Sequence, residues 1–209
     1  MILDIHTHHL DPSNKDCIQN IEIGLFNPQE GCFYSLGLHP WKVNERWEND
    51  FDLLQVHSQH PSVLAIGEAG LDRFVTDNIS LQKNAFERQI LLCEEINKPL
   101  IIHCVKCFNE LIALKRQYHP HVPWIVHGFR NNPFIAERLL NEDFYLSIGE
   151  RYQATAIEMI PNDRLLTETD ESTKNIFSII QGIALVKKIS HDELIDHLNK
   201  NVQKVFFKA

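Results

Sequence analysis

A chain of 209 residues with 44% apolar side chains holds enough hydrophobic material for a sizeable core. Its formal net charge of -8 excludes the basic stripe that grips long nucleic acid, although an enzyme touching only a strand end needs no more than a local positive pocket. No apolar run approaches the roughly 20 residues of a membrane span, no basic leader opens the chain, and five irregularly spaced cysteines suit free thiols in a reducing compartment, so a cytoplasmic location is expected.

The first segment, Leu3-Asp4-Ile5-His6-Thr7-His8, alternates apolar and polar residues. Successive side chains of a strand face opposite ways, so Asp4, His6 and His8 are expected on one face and Leu3, Ile5 and Thr7 on the other. Two imidazoles two residues apart, backed by a carboxylate, make two corners of a metal site; the alternative is a polar strand edge. A turn at Asp11-Pro12-Ser13-Asn14 leads to an apolar segment over 18–26, with no room for a helix between. Phe33 to Leu38 reads as a buried strand ending on His39-Pro40, and a helix is expected over 49–58. Val63 to Gly67 is a strand ending on Glu68. A helix over 80–96 stops at Asn97-Lys98-Pro99, and Leu100 to Ile102 is a strand ending on His103.

The apolar spacing of Phe108, Leu111 and Ile112 predicts a helix over 108–118. Pro123 to Val126 is a strand ending on His127, and Asn132-Pro133 opens a helix to about 141. A strand over 144–148, a short helix over 155–160 and a strand over 165–169 ending on Asp170 follow. Helices over 174–188 and from Ser190 to about 206 complete the chain, the latter opened by the capping box Ser190-x-x-Glu193.

Eight short apolar strands separated by helical crossovers indicate a parallel sheet covered on both sides. The expected fold is α/β, a compact TIM-type (β/α)8 barrel over residues 1–209 as one domain, with the helix after the first strand missing or reduced. An open doubly wound sheet is the alternative, but no Gly-x-Gly-x-x-Gly follows the first strand.

Six expected strands end on side chains able to bind metal or move protons: His8, His39, Glu68, His103, His127 and Asp170. In a parallel barrel those ends share one rim, where such enzymes keep their active sites. The His and carboxylate mixture suits Zn, Mn, Ni or Mg. There are too many ligands for one ion, and a carboxylate such as Glu68 can bridge two. Hydrolysis by a metal-activated water is the natural reaction class.

His6-Thr7-His8, Gly37-Leu38-His39-Pro40, Gly67-Glu68-Ala69-Gly70-Leu71-Asp72, Ile102-His103, Val126-His127-Gly128-Phe129 and Glu168-Thr169-Asp170 occur in the order found in the TatD family. The chain resembles that family of metal-dependent hydrolases, many of them deoxyribonucleases, within the wider amidohydrolase-type barrels. The resemblance implies that His6, His8 and Asp170 hold a first metal ion and that Glu68 bridges to a second, held also by His103 and His127. It implies that Asp170 doubles as the base for the attacking water. It further implies that His39 contacts the scissile phosphate and that Asp4 supports a ligating imidazole.

Lys106 stands where the family usually has arginine, Phe129-Arg130-Asn131 replaces Phe-Ser-Gly, and Asp170-Glu171-Ser172-Thr173 lacks the usual proline, so the substrate-facing loops are altered. Arg73, Lys106, Arg130 and Arg151 lie just past strand ends, where they can form a phosphate pocket around a DNA end or small phosphoester. Trp41 and Trp47 are placed either to stack on a base or to pack over the barrel mouth. Cys104-x-x-Cys107 reads as incidental thiols, and Asp72 as a loop-ordering carboxylate. The leading expectation is a two-metal phosphodiesterase of deoxyribonuclease type that forms no stable nucleic-acid complex. The alternatives are a hydrolase of a small ester, lactone, amide or phosphoester, and a non-catalytic ligand-binding barrel.

Overall fold

The structure, a computed structural model, describes residues 1–74 and 79–207. Eight strands run parallel and neighbour one another in chain order: β1 (Asp4–Thr7), β2 (Cys17–Asn20), β3 (Phe33–Leu36), β4 (Val63–Asp72), β5 (Leu100–Val105), β6 (Trp124–Val126), β7 (Tyr145–Ile148) and β8 (Leu165–Thr167). The last strand returns to the first. Thr7 bridges to Asp170, His8 N donates to Asp170 O at 3.1 Å, Asp170 N donates to His6 O at 2.9 Å, and Thr167 Oγ1 donates to Leu3 O at 2.7 Å. The result is the nearly closed barrel that the alternation of strands and helices predicts.

The helices are α1 (Trp47–His57), α2 (Ile79–Ile96), α3 (Phe108–Tyr118), α4 (Pro133–Leu140), α5 (Ala154–Met159), α6 (Ile176–Lys187) and α7 (His191–Phe206). Between β1 and β2 there is no helix, and between β2 and β3 only a 3-10 turn over Ile23–Leu25. Local signals fix several ends. The Asn132 side chain accepts from Ile135 N at 3.1 Å ahead of Pro133, and Ser190 Oγ accepts from Glu193 N at 3.1 Å, each satisfying an N–H that the first helical turn leaves unpaired.

Ile5, Ile18, Ala65, Ile101, Ile125, Tyr145 and Leu166, one from each of seven strands, pack into a single cluster. Only the barrel lumen brings so many strands together, so this layer is its apolar floor. Val202, Val205 and Phe206 of α7 join the same cluster, and Asn201 Nδ2 donates to Leu165 O and Asn162 O at 2.7 Å each, so α7 plugs the end opposite the rim. A larger apolar cluster, including Phe86, Trp124, Phe144 and Ile180, lies between the strands and the outer helices.

Three expectations change. β4 does not end on Glu68 but runs to Asp72, and β5 runs through His103 to Val105, because Ala69, Gly70, Leu71 and Asp72 pair with Ile102, His103, Cys104 and Val105. Glycine permits this: a Cβ on Gly70, whose φ is +148°, would stand 2.0 Å from His103 O. The register also slips between Ile66 and Ala69, the interval that holds Glu68. Finally, Asp4 does not share a face with the two histidines. Asp4 pairs with Cys17 but Thr7 pairs with Gln19, three steps against two, so the alternation breaks within β1.

Candidate metal centre

Two residues beyond the apolar floor, the same strands present polar groups. His103 follows Ile101, His127 follows Ile125 and Glu168 follows Leu166, each at the two-residue spacing that keeps a side chain on one face. Glu68 stands in the middle, almost wholly buried. Its Oε1 meets His6 Nε2 at 2.7 Å and His8 Nε2 at 2.8 Å, and its Oε2 meets His39 Nε2 at 3.0 Å, His127 Nε2 at 3.6 Å and His103 Nδ1 at 3.7 Å. Asp170 Oδ1 lies 3.6 Å from His8 Nε2 and 3.8 Å from His6 Nε2.

The ligand-capable atoms fall into two groups that share Glu68. His6, Glu68, His127 and Asp170 form one, and His39, Glu68 and His103 the other, with all the atoms of each group inside 4.8 Å. His127 belongs to the first group by ligand-atom distance, and its ring also neighbours that of His103 at 5.6 Å between centroids. The donor set fits divalent cations: imidazole and carboxylate with no thiolate. His6 Nδ1, His127 Nδ1 and Glu168 Oε2 are buried without a hydrogen-bond partner, which leaves this interior polar and under-satisfied.

The electrostatics follow from crowding. Burial alone would raise the Glu68 pKa, but His127, His6 and His39 prevail and hold it well below the usual carboxylate range. Burial opposes protonation of His127, yet Glu68, Glu168 and Asp170 override it and push its pKa up to about 9. Burial and the neighbouring His127 push His103 down to about 4. Burial raises Asp170, whose backbone is left-handed at φ 55°, a conformation aspartate tolerates better than most residues. The bond from His8 to Glu68 raises the His8 pKa.

The chain matches the family model described as TatD related DNase over residues 5–207. It belongs to the TatD-related DNase family. An uncharacterized metal-dependent hydrolase, YabD of Bacillus subtilis, is 28% identical over 196 residues, covering 83% of this chain and 77% of that protein. A protein of Edwardsiella piscicida described as the 3'-5' ssDNA/RNA exonuclease TatD is 32% identical over 152 residues, 66% of this chain and 57% of that one. Among solved structures, the TatD homologue YjjV of Escherichia coli superposes with a TM-score of 0.79 at 21% identity, over 92% of this chain and 86% of that one. Family membership makes the chain a TatD-type hydrolase.

Against the TatD motifs, the structure brings His6, His8, His39, Glu68, His103, His127 and Asp170 to one rim. It scatters the basic residues. The Arg73 guanidinium pairs with Glu110, and the Lys106 ammonium lies 4.2 Å over the Phe74 ring. Arg130 and Arg151 line a groove of about 370 Å³ together with Gly128, Glu150, Asp170 and Ser172. Trp47 is buried beside Phe51, whereas Trp41 is exposed. All five cysteines are free, and burial raises the thiol pKa of both Cys104 and Cys107.

Among the described residues, the hydrogen bonds of Asp4 go to Thr169 and not to an imidazole. Its carboxylate accepts from Thr169 N at 2.9 Å and Thr169 Oγ1 at 2.7 Å, so it anchors the residue before Asp170, and burial lifts its pKa to about 6. Two other carboxylates do more than the sequence suggests: Asp72, read as loop-ordering, does accept from Phe74 N but also touches a candidate ligand, and Glu168 is not among the expected site residues. Asp72 Oδ2 meets His103 Nε2 at 3.0 Å, orienting the ring so that Nδ1 faces Glu68. Glu168 Oε1 accepts from Gly128 N at 2.6 Å and lies 3.5 Å from His127 Nδ1. The available signal was spacing: Glu168 lies two residues beyond Leu166, as His103 does beyond Ile101.

Proposed function

We propose that this chain is a phosphodiesterase of deoxyribonuclease type, working at DNA ends with two divalent cations of the Zn, Mg, Mn or Ni class. One observation carries the reading: five imidazoles converge within 3.7 Å on the single buried carboxylate of Glu68. In this reading His6, His8 and Asp170 would hold one cation, His103 and His127 the other, and Glu68 would serve both. When bound, such a pair supplies Lewis acidity and an ionisable water.

The protein's own groups do the rest. His39 Nδ1 accepts the Trp41 backbone N–H at 3.1 Å, so the neutral ring carries its proton on Nε2. That tautomer suits donation to a phosphate oxygen and not ligation through Nε2, which favours substrate contact over metal binding for His39. His103 has the opposite arrangement: Asp72 Oδ2 accepts the hydrogen bond from Nε2–H, which leaves Nδ1 unprotonated and free as a ligand. Asp170, with its raised pKa, is matched to accept a proton from the attacking water. Arg130 makes no ion pair among the described residues and lines the groove beside Asp170, which suits it to a phosphate better than the paired Arg73. The relative named as an exonuclease supports a nucleic-acid substrate, and the five free thiols support a reducing, cytoplasmic setting.

The test is cleavage of single-stranded and duplex oligonucleotides with added Mg, Mn or Zn, run against His103→Ala. Metal-dependent trimming by the native protein and its loss in the variant are expected. Equal cleavage by both would trace the activity to a contaminant, and metal-dependent turnover of a small ester without DNA cleavage would replace the nuclease by a small-ester hydrolase.

A further inference from the structure

Two aromatic side chains stand open to solvent beside the metal-ligand cluster: Trp41, 60% exposed, and Phe74, 68% exposed. Neither position is loose. The Trp41 indole N–H donates to Asp72 Oδ2 at 2.8 Å, and the Phe74 backbone N–H donates to Asp72 Oδ1 at 2.8 Å. The same Oδ2 meets His103 Nε2 at 3.0 Å. Trp41 is fastened a second time through its backbone N–H to His39 Nδ1, and its ring stands edge-on to the His39 ring at 5.0 Å between centroids. One buried carboxylate therefore fixes two exposed aromatic residues and a candidate metal ligand at once.

A singly exposed aromatic residue needs no explanation. A tryptophan whose polar end is tied down while most of its surface stays in water has the form of a stacking surface for a flat apolar ring. The charges around it narrow the class of ring. Lys106 Nζ caps the Phe74 ring at 4.2 Å and makes no ion pair among the described residues, so one cation borders Phe74, while the Arg73 guanidinium beside it is paired with Glu110. Exposed aromatic faces with a cation at hand suit unpaired nucleobases on a phosphate backbone; the Trp41 ring lies on the His39 and His103 side of the centre and Phe74 is tied to the same Asp72, whereas Arg130 and Arg151 share their groove with Asp170.

We propose that Trp41 and Phe74 form a base-stacking platform for the nucleotides flanking the scissile phosphate, with Asp72 as the positioning residue that sets its distance from His39 and His103. The proposal rests on the nuclease reading above.

The experiment measures KM for an ordinary single-stranded oligonucleotide and for one whose terminal residues at either end are abasic. It uses the native protein, Trp41→Ala, Phe74→Ala and Trp41→Phe, with methyl p-nitrophenyl phosphate as a base-free substrate. The native protein is expected to show a KM about tenfold higher for the abasic strand at one end, the loss of one stacked base. That ratio falls towards one in Trp41→Ala and Phe74→Ala and is largely kept in Trp41→Phe. Quenching of tryptophan fluorescence on oligonucleotide binding, lost in Trp41→Phe, is the second expected signature. Equal KM for both strands in the native protein, or a ratio that survives both alanine variants, overturns the platform while leaving the nuclease reading intact. No cleavage of either strand, with turnover of the small diester, sinks the nuclease reading and the platform with it.

Discussion

Glu68 and Asp170 are both carboxylates of one small interior, yet their surroundings push them in opposite directions. Imidazoles hold Glu68 ionised despite burial, and burial moves Asp170 towards holding a proton. Divergent environments of this kind separate a constant negative charge from a group able to exchange protons. Accordingly, Glu68→Gln should lose bound metal, read by elemental analysis of the purified protein. Asp170→Asn should lower kcat by about 10²–10⁴-fold, the usual worth of a positioned acid or base. Away from the site, Lys115 lies 5.0 Å from the Trp124 ring and 5.2 Å from Phe144, and burial pushes its pKa from 10.5 to about 8. Folding thus favours its neutral form. The penalty for burying the charge is fully present below pH 8 and is relieved as pH rises through 10.5. Lys115→Met should stabilise the protein by on the order of 2 kcal/mol at pH 7, the cation–π contact offsetting part of the shift, and the advantage should vanish by pH 10.5 in denaturant titrations.

At the scale of elements, every expected strand and helix is present among the described residues, because apolar runs and caps are local signals. Asn132 and Ser190 accept the N–H groups that their spacing predicts. What sequence could not give was register. The slip in β1 turns Asp4 away from the histidines, and the continued pairing of β4 with β5 carries Asp72 to His103; both depend on strands distant in the chain. For the same reason Arg73 looked free, since its partner Glu110 lies 37 positions on. The histidines were legible because each closes an apolar run, whereas the carboxylates that orient them are recognised only by what they touch. Residues 75–78 lie outside the described residues. The β4–β5 contact is also the place to test the role of glycine. Gly70→Ala would press a methyl group onto His103 O in a backbone conformation that alanine avoids. A loss of at least about 2 kcal/mol in chemical denaturation is expected, together with weakened metal retention through His103.

For the whole molecule, the sensitive place is where β8 returns to β1. Seven of the eight strand boundaries are ladders between named strands, while this one rests on a single bridge and a few side-chain bonds. Thr167 is buried and its hydroxyl serves Leu3 O. Thr167→Val would remove that hydroxyl donor and should destabilise the fold by about 1 kcal/mol, with amide exchange accelerated first at His8 and Asp170.

The proposed ligand sphere spans that same boundary, with His6 and His8 on one side and Asp170 on the other. A cation held there would act as a staple across the weakest join of the ring, so chelation would loosen the architecture as well as silence the chemistry. Because anything that binds only the folded form stabilises it by mass action, each tenfold rise in free metal beyond saturation should add about 1.4 kcal/mol. Melting temperature would then serve as a metal assay that requires no substrate at all.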